Sequence, residues 1–469
     1  MNSKYKTLFS NTVIFAIGNV LVKLIGFLLL PLYTTYLTSE TYGIAELIAK
    51  SMYLIVPVGT LSIVDSLFRF SIDENADFKS LLSTALNVII KGVIIISLIG
   101  FVLNLYTDYD YIFYFVLLYI SSAFFSLFSQ FSRGIGDSKR FVISGIVNAI
   151  TLVFTNVLFI VILGYGAKGY LLSLIISFFV AAIYSFFSSR AYLYISIKNV
   201  DKSLLRLMLA FSLPNIPNML AWWVNSLSSQ YIINSYVGIA AAGLFAAAIK
   251  LPALINLFTT VFQQAWQYST AKEINNNDKN EFFSQVFNYY SVFVIIFTSL
   301  LISITPYFSM LILRGEFYSA WTLVPLLLVS AALGAFSIFF GTFYNAVKKN
   351  VMGMVSTVSG AIVSLVISFV LIPSIGITGA LIASVLSYLV VVIIRIIDIK
   401  RFVTLDINYK HLIVNFVLVL IQAIILSKEG DYKIIISFVI SLIIILINFS
   451  IVKEAISYGF NFAKALIKK

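Results

Sequence analysis

Apolar runs of about 20 residues, each long enough to cross a bilayer as a helix, follow one another along the chain with only short polar breaks between them. They predict about fourteen transmembrane helices. The first six fall at 11–36, 43–65, 80–105, 110–132, 141–163 and 167–189. Six more are expected at 208–236, 240–268, 283–305, 320–345, 351–372 and 376–397, and a last pair at 409–427 and 433–452. No connecting segment is long enough for a soluble catalytic domain. Lys4 and Lys6 precede an apolar run too long for the core of a cleaved signal, and no small-residue cleavage site follows.

Basic residues orient the spans. With the N-terminus in the cytoplasm, only Lys168, Arg314, Lys428 and Lys433 fall outside, and Lys23, Lys50, Lys91 and Lys250 fall within helices. Every other lysine and arginine of the 31 lies in a cytoplasmic segment. Such a bias predicts both termini inside.

The second half echoes the first. Gly43 precedes Lys50 by seven residues, and Gly243 precedes Lys250 by seven. Gly166-Ala167-Lys168-Gly169-Tyr170 aligns with Gly376-Ile377-Thr378-Gly379-Ala380, and at the same offset Lys139 falls on Lys349. Six helices per half make the matching segments run in the same direction, a parallel repeat whose lobes rock against each other around a site. The expectation is an all-α polytopic protein with a six-helix lobe and cytoplasmic linker at 1–206, a second lobe at 207–403, and two appended helices with a cytoplasmic tail at 404–469.

Polar stripes interrupt the apolar runs. Asn19 and Lys23 are one turn apart on the first helix, and Ser80, Thr84, Asn87 and Lys91 share a face of the third. Asn215, Asn218, Trp222, Asn225 and Ser229 share a face of the seventh, which opens with Pro214 and Pro217. On the eighth, Gly243, Lys250 and Gln264 fall within about 60° of each other. Lipid satisfies none of these groups, so they face water or another helix. A lysine at the bilayer centre costs about 2.5–3.5 kcal/mol, and its retention points to an anionic ligand. Glu46 stands one turn before Lys50 in the orientation that favours an ion pair, which gives Lys50 a structural reading as well. Asparagine and serine stripes also bind helices to each other. Pro57 and Gly59 in the second helix, Pro252 in the eighth and Pro325 in the tenth are candidate bends.

Composition narrows the class. Hydrophobic residues make up 61% of the 469, charged ones 11%, and mean hydropathy is +1.02. There is no cysteine, so disulfides and thiolate metal sites are excluded. The one histidine, His411, reads as a loop bystander, and no metal site, cofactor or catalytic residue is expected. The net charge of +12 fits cytoplasmic loops and anionic headgroups rather than nucleic acid. Tyr106, Tyr109, Tyr111 and Tyr114 fit an interfacial aromatic belt, with sugar stacking as the alternative.

Pro31-Leu32-Tyr33, Leu37-Thr38 and Glu40-Thr41-Tyr42-Gly43 resemble the first hairpin of polysaccharide exporters of the multidrug/oligosaccharidyl-lipid/polysaccharide (MOP) superfamily. Arg133-Gly134, Ser212-Leu213-Pro214-Asn215-Ile216-Pro217 and Gln263-Gln264-Ala265-Trp266 are similar to family segments in the same order, over about residues 8–400. The resemblance implies a Wzx-type flippase, which moves undecaprenyl-pyrophosphate-linked oligosaccharide across a bacterial plasma membrane for O-antigen, capsule or related glycan assembly. Its partners would be that lipid-linked oligosaccharide, membrane lipids, and the polymerase and chain-length regulator of the pathway. Related lipid II flippases carry cations on helices one, two and eight of a central cavity, the helices of Lys23, Lys50 and Lys250 here. The binding set is then Lys23, Lys50, Lys250 and Lys91 with Asn19, Asn87, Asn215, Asn218, Asn225 and Gln264. Glu46 is the candidate for coupling or ion pairing. Fourteen spans also resemble the lipid II branch, whereas many O-antigen flippases have twelve.

Two other classes remain open. A drug or cation antiporter of the same superfamily needs buried carboxylates, and no Asp or Glu precedes Glu40. A membrane-embedded glycosyltransferase, polymerase or ligase needs a sizeable external loop, and the longest, around Pro306–Ser319, offers only Arg314 and Glu316.

Overall fold

The computed structural model describes residues 25–73, 75–107, 109–196, 201–347, 350–428 and 430–454. Among them there is no strand, and helices follow one another directly. Their contacts divide the chain into two compact units, Met1–Trp223 and Val224–Lys469. The first holds α1 (Leu30–Tyr36), α2 (Ser39–Gly59), α3 (Ile63–Ser71), α4 (Phe78–Tyr106), α5 (Ile112–Gly134), α6 (Ser138–Asn156), α7 (Gly166–Ser188), α8 (Lys202–Ser212) and the start of α9 (Asn215–Tyr236). The second holds the rest of α9, α10 (Ile239–Ala248), α11 (Ala253–Glu273), α12 (Lys279–Ile312), α13 (Val324–Ala346), α14 (Asn350–Ile375), α15 (Ile377–Ile399), α16 (Tyr409–Ser427) and α17 (Lys433–Ile447).

Among the described residues, eleven helices are long and apolar enough to cross a membrane, or 12 if the bent pair Ile239–Ala248 and Ala253–Gln263 is one span. Of the fourteen expected spans, the first lies largely outside the described residues, with α1 as its described end. The last is α17, with 15 helical residues before a turn at Asn448, and helix resumes from Phe449 to Glu454, the last described residue.

Local chemistry sets the helix starts. Thr38 and Thr41 form a reciprocal capping box that opens α2. Asp77 accepts from the backbone of Lys79 and Ser80 to open α4, and these bonds with the Ser80 hydroxyl hold its carboxyl below the usual range. Ser80, expected on a cavity stripe, is thus a capping partner.

The expected weak points in two spans are breaks. Pro57 lies within α2, which ends at Gly59, and Leu61 (φ 52°) and Ser62 (φ 48°) then both adopt the left-handed conformation before α3 begins. A Cβ at Gly92 of α4 would lie 2.0 Å from the Gly59 carbonyl oxygen and 2.9 Å from the Tyr119 hydroxyl. Only glycine permits that approach. Gly92→Ala is therefore expected to destabilise the protein by about 1–3 kcal/mol, the usual range for overpacking, read as a lower melting temperature. In the second unit α10 and α11 meet at 47°, with Lys250 and Pro252 in the turn between them.

The repeated glycine motif has one geometry in both units. Gly166 (φ 56°) and Gly376 (φ 61°) each turn the chain between two helices of a hairpin. Three residues on, a Cβ at Gly169 would lie 2.9 Å from the Phe159 oxygen, and one at Gly379 would lie 2.6 Å from the Leu371 carbonyl carbon. The first glycine makes the turn, and the second lets α7 or α15 pack on the helix before it.

The cores differ in character. In the first unit, Leu67, Leu82, Ile89, Leu127, Phe131 and Met208 join α3, α4, α5 and α8. In the second, aromatic rings dominate: Trp266 stacks on Phe339 at 4.6 Å and donates its indole N–H to the Phe339 carbonyl, between α11 and α13. The appended α16 and α17 pack against α12 through a buried polar knot. The Gln422 amide lies 2.8 Å from the Ser299 hydroxyl and 2.9 Å from those of Ser303 and Ser441, with Ser437 closing the ring.

Candidate functional site

Lys50 sits inside α2, a span whose other residues are largely apolar, and is 8% exposed. Its Nζ lies 3.3 Å from Glu46 Oε2, so the pair suggested by the i, i+4 spacing is formed. The other carboxylate oxygen, Oε1, accepts two phenolic hydrogen bonds, from Tyr42 at 3.1 Å and from Tyr170 of α7 at 2.9 Å. Tyr33 of α1 completes the surround, its ring centroid 4.9 Å from that of Tyr170 and 5.8 Å from that of Tyr42. Fully buried Asn156 at the end of α6 donates its amide N–H to the Leu152 carbonyl at 2.7 Å. The Trp223 indole donates to the Lys50 carbonyl at 3.3 Å.

This is a charge pair sealed by tyrosines. Taking two ions out of water costs several kcal/mol each, and Coulomb attraction offsets that only when the remaining lone pairs are also satisfied. The two phenols do this for Glu46. The arrangement holds one anion and one cation together within an apolar span.

The other candidates separate. Lys250, half-buried, lies in the turn between α10 and α11 rather than within a continuous helix like its repeat partner Lys50. On α4, Thr84 is buried, Asn87 half-buried and Lys91 exposed, so the predicted face is split between core and surroundings. Asn215, at the start of α9, hydrogen-bonds the Asp65 side chain. Ser229 meets Ser368 at 3.3 Å, a contact between α9 and α14 of the kind that binds helices together. Asn19 and Lys23 lie outside the described residues, as do the side chains of Asn218, Trp222, Asn225 and Gln264.

Three groups escaped the sequence reading. Tyr42 is one turn before Glu46 on the same helix and was within reach of spacing rules. Tyr33 and Tyr170 come from other helices and needed the fold. Arg395, counted with the cytoplasmic cations, lies within α15, where it donates to Ser356 Oγ at 2.9 Å, Thr357 Oγ1 at 3.1 Å and the Ser337 carbonyl. It ties three helices of the second unit together. At the predicted external end of the first unit, Tyr109, Tyr111 and Tyr114 form a chain of ring contacts at 5.4 and 6.3 Å. Lys168 lies 2.7 Å from Asp110 there and holds that exposed carboxyl below its usual range.

Residues 8–268 match the family described as polysaccharide biosynthesis protein. No curated protein matches the sequence. Among solved structures the fold is similar to the lipid II flippase MurJ in an inward closed conformation, with TM-score 0.67 and 16% identity over 95% of this chain and 99% of that one. It is also similar to an outward-facing multidrug resistance MATE family transporter of the MOP superfamily, with TM-score 0.56 and 14% identity over 89% and 95%. A Vibrio cholerae MATE transporter follows at TM-score 0.51 and 15% identity over 84% and 97%.

Proposed function

The chain belongs to the polysaccharide biosynthesis protein family, and from that premise we propose that it is a flippase for undecaprenyl-pyrophosphate-linked oligosaccharide repeat units. In this reading it sits in a bacterial plasma membrane with both termini in the cytoplasm. It works by alternating access and supplies O-antigen, capsule or another surface polysaccharide. Lipid-linked repeat units and membrane lipids are its partners, and a polymerase and chain-length regulator act after it.

The observation that carries the reading is two lysines retained among apolar helices, each seven residues after a glycine, Lys50 inside a span and Lys250 at a bend between two helices. Ammonium groups at low dielectric attract phosphate strongly, which offsets the cost of taking both from water. Lys23, Lys91 and the polar residues Asn19, Asn87, Asn215, Asn218, Asn225 and Gln264 complete the proposed binding set. The prenyl tail stays in lipid throughout.

Removing the protein from its host and identifying the lipid-linked oligosaccharide that accumulates in the inner leaflet tests the reading directly. Normal lipid intermediates and normal surface glycan in that strain would overturn it. Outward movement of negative charge from an inside-negative cell is favoured by about 2.3 kcal/mol per charge per 100 mV. Flipping into the positive lumen of reconstituted liposomes is therefore expected to slow when valinomycin and potassium collapse the potential.

Glu46 gives one observation to the competing antiporter reading, since a buried carboxylate is what a cation exchanger needs. Its engagement with Lys50 makes the pair neutral and weakens it as a cation site. Protection of cells from toxic cations on expression would favour the antiporter.

A further inference from the structure

Glu46 is held by more donors than an ion pair requires. Two phenols from different helices donate to Oε1 at 3.1 and 2.9 Å, while Oε2 faces the Lys50 ammonium at 3.3 Å. Tyr42 and Tyr170 therefore hold the Glu46 carboxylate through Oε1, whichever way the ammonium points. Beside Lys50 there is consequently a fixed, buried anion whose Oε2 stands where an oxygen of a phosphate would stand.

We propose that Glu46 is the resting counter-ion of Lys50, which a phosphate oxygen of the substrate replaces during transport, and that Tyr42 and Tyr170 are positioning residues that support Glu46 while it is unpaired. The proposal rests on the flippase reading and adds to it how the site is regulated. In the empty carrier the lysine is neutralised internally, and its charge crosses the cycle compensated. In the loaded carrier the ammonium turns to phosphate, and the tyrosines hold the carboxylate that it leaves. On the release side Glu46 competes for the lysine and helps to displace the substrate.

Two variants pull in opposite directions. Glu46→Gln keeps the shape and the Oε1 acceptor but removes the competing charge. Its KM for the lipid substrate is expected to fall about tenfold and its kcat to fall about tenfold with it, as when ground-state opposition to binding is removed. Tyr42→Phe/Tyr170→Phe keeps the ion pair but removes two donors from a separated carboxylate, so KM is expected to rise about tenfold. A cage that served stability alone would shift the melting temperature of both variants and leave KM and kcat in place.

The experiment uses full-length protein in liposomes and a fluorescent undecaprenyl-pyrophosphoryl monosaccharide as the probe, with KM and kcat read from protected versus quenchable signal. Opposite movements of KM in the two variants support the proposal. Wild-type flipping with KM unchanged in both variants overturns the proposal alone. Failure of the wild type to flip the probe removes the flippase reading and the proposal together. Should Glu46→Gln not fold, the tyrosine pair carries the test, since it leaves both charges in place.

Discussion

Glu46→Ala is expected to destabilise the protein by about 3–5 kcal/mol, the range seen when one partner of a buried ion pair is removed. Lys50 would be left charged in an apolar span, and Tyr42 and Tyr170 would lose their shared acceptor. The measurement is thermal unfolding of the detergent-purified protein, with a double-mutant cycle through Lys50→Met. Because Lys50→Met/Glu46→Ala leaves no buried charge, it should recover most of the loss, and the coupling between the two sites should exceed about 1 kcal/mol. A single variant that melts with the wild type would mean that Lys50 reaches water, and the buried-pair description would fail. The effect is large because the charge is buried. An exposed i, i+4 pair contributes only about 0.3–0.5 kcal/mol.

Lys250→Ala should do the reverse: abolish export while leaving the fold nearly intact. Lys250 is half-buried in the turn between α10 and α11, so removing its ammonium empties no core position. Truncating one member of a buried charge contact costs about 2 kcal/mol or more, which corresponds to at least about a thirtyfold loss in substrate binding. Surface glycan in cells carrying the variant is the readout, with membrane insertion and melting temperature checked in parallel, and Lys250→Arg should retain part of the activity. Wild-type levels of surface glycan in a correctly inserted Lys250→Ala strain would remove Lys250 from the binding set.

Most helices could be placed from hydropathy because each buries its backbone polar groups in itself, which lets a local signal specify a span. The run 409–427 coincides with α16, and 80–105 is α4 to within two residues. Pro57, Gly59 and Pro252 marked the breaks, yet the left-handed pair Leu61 and Ser62 was not legible, since neither residue type favours that conformation. There the Ser62 N–H bonds back to the Pro57 carbonyl, and Gly92 of α4 packs on the Gly59 carbonyl just before the pair. The Glu46–Lys50 pair could be read because one helix supplies both ends. The tyrosine surround could not, because Tyr170 reaches Glu46, and Tyr33 reaches Tyr42 and Tyr170, only after α1, α2 and α7 have packed. The face predicted from Ser80, Thr84, Asn87 and Lys91 runs from a capping serine through buried Thr84 to half-buried Asn87 and exposed Lys91, because helical spacing says which residues share a side and nothing about what covers it. The same limit hid Gln422, Asn415 and His411. They recur on one face of α16 and proved to face α12 and α17 or a small polar pocket, while His411 had been placed in a loop.

The knot around Gln422 bears on how the chain is made. Before α12, α16 and α17 meet, the amide of Gln422 and the hydroxyls of Ser437 and Ser441 would face hydrocarbon. The last hairpin is therefore stable in lipid only once the helices synthesised earlier are in position to receive it. Docking of this hairpin becomes a late checkpoint in biogenesis. A chain that reaches its C-terminus with α12 misplaced exposes polar groups inside the membrane, a signal on which quality-control proteases can act before a defective carrier accumulates.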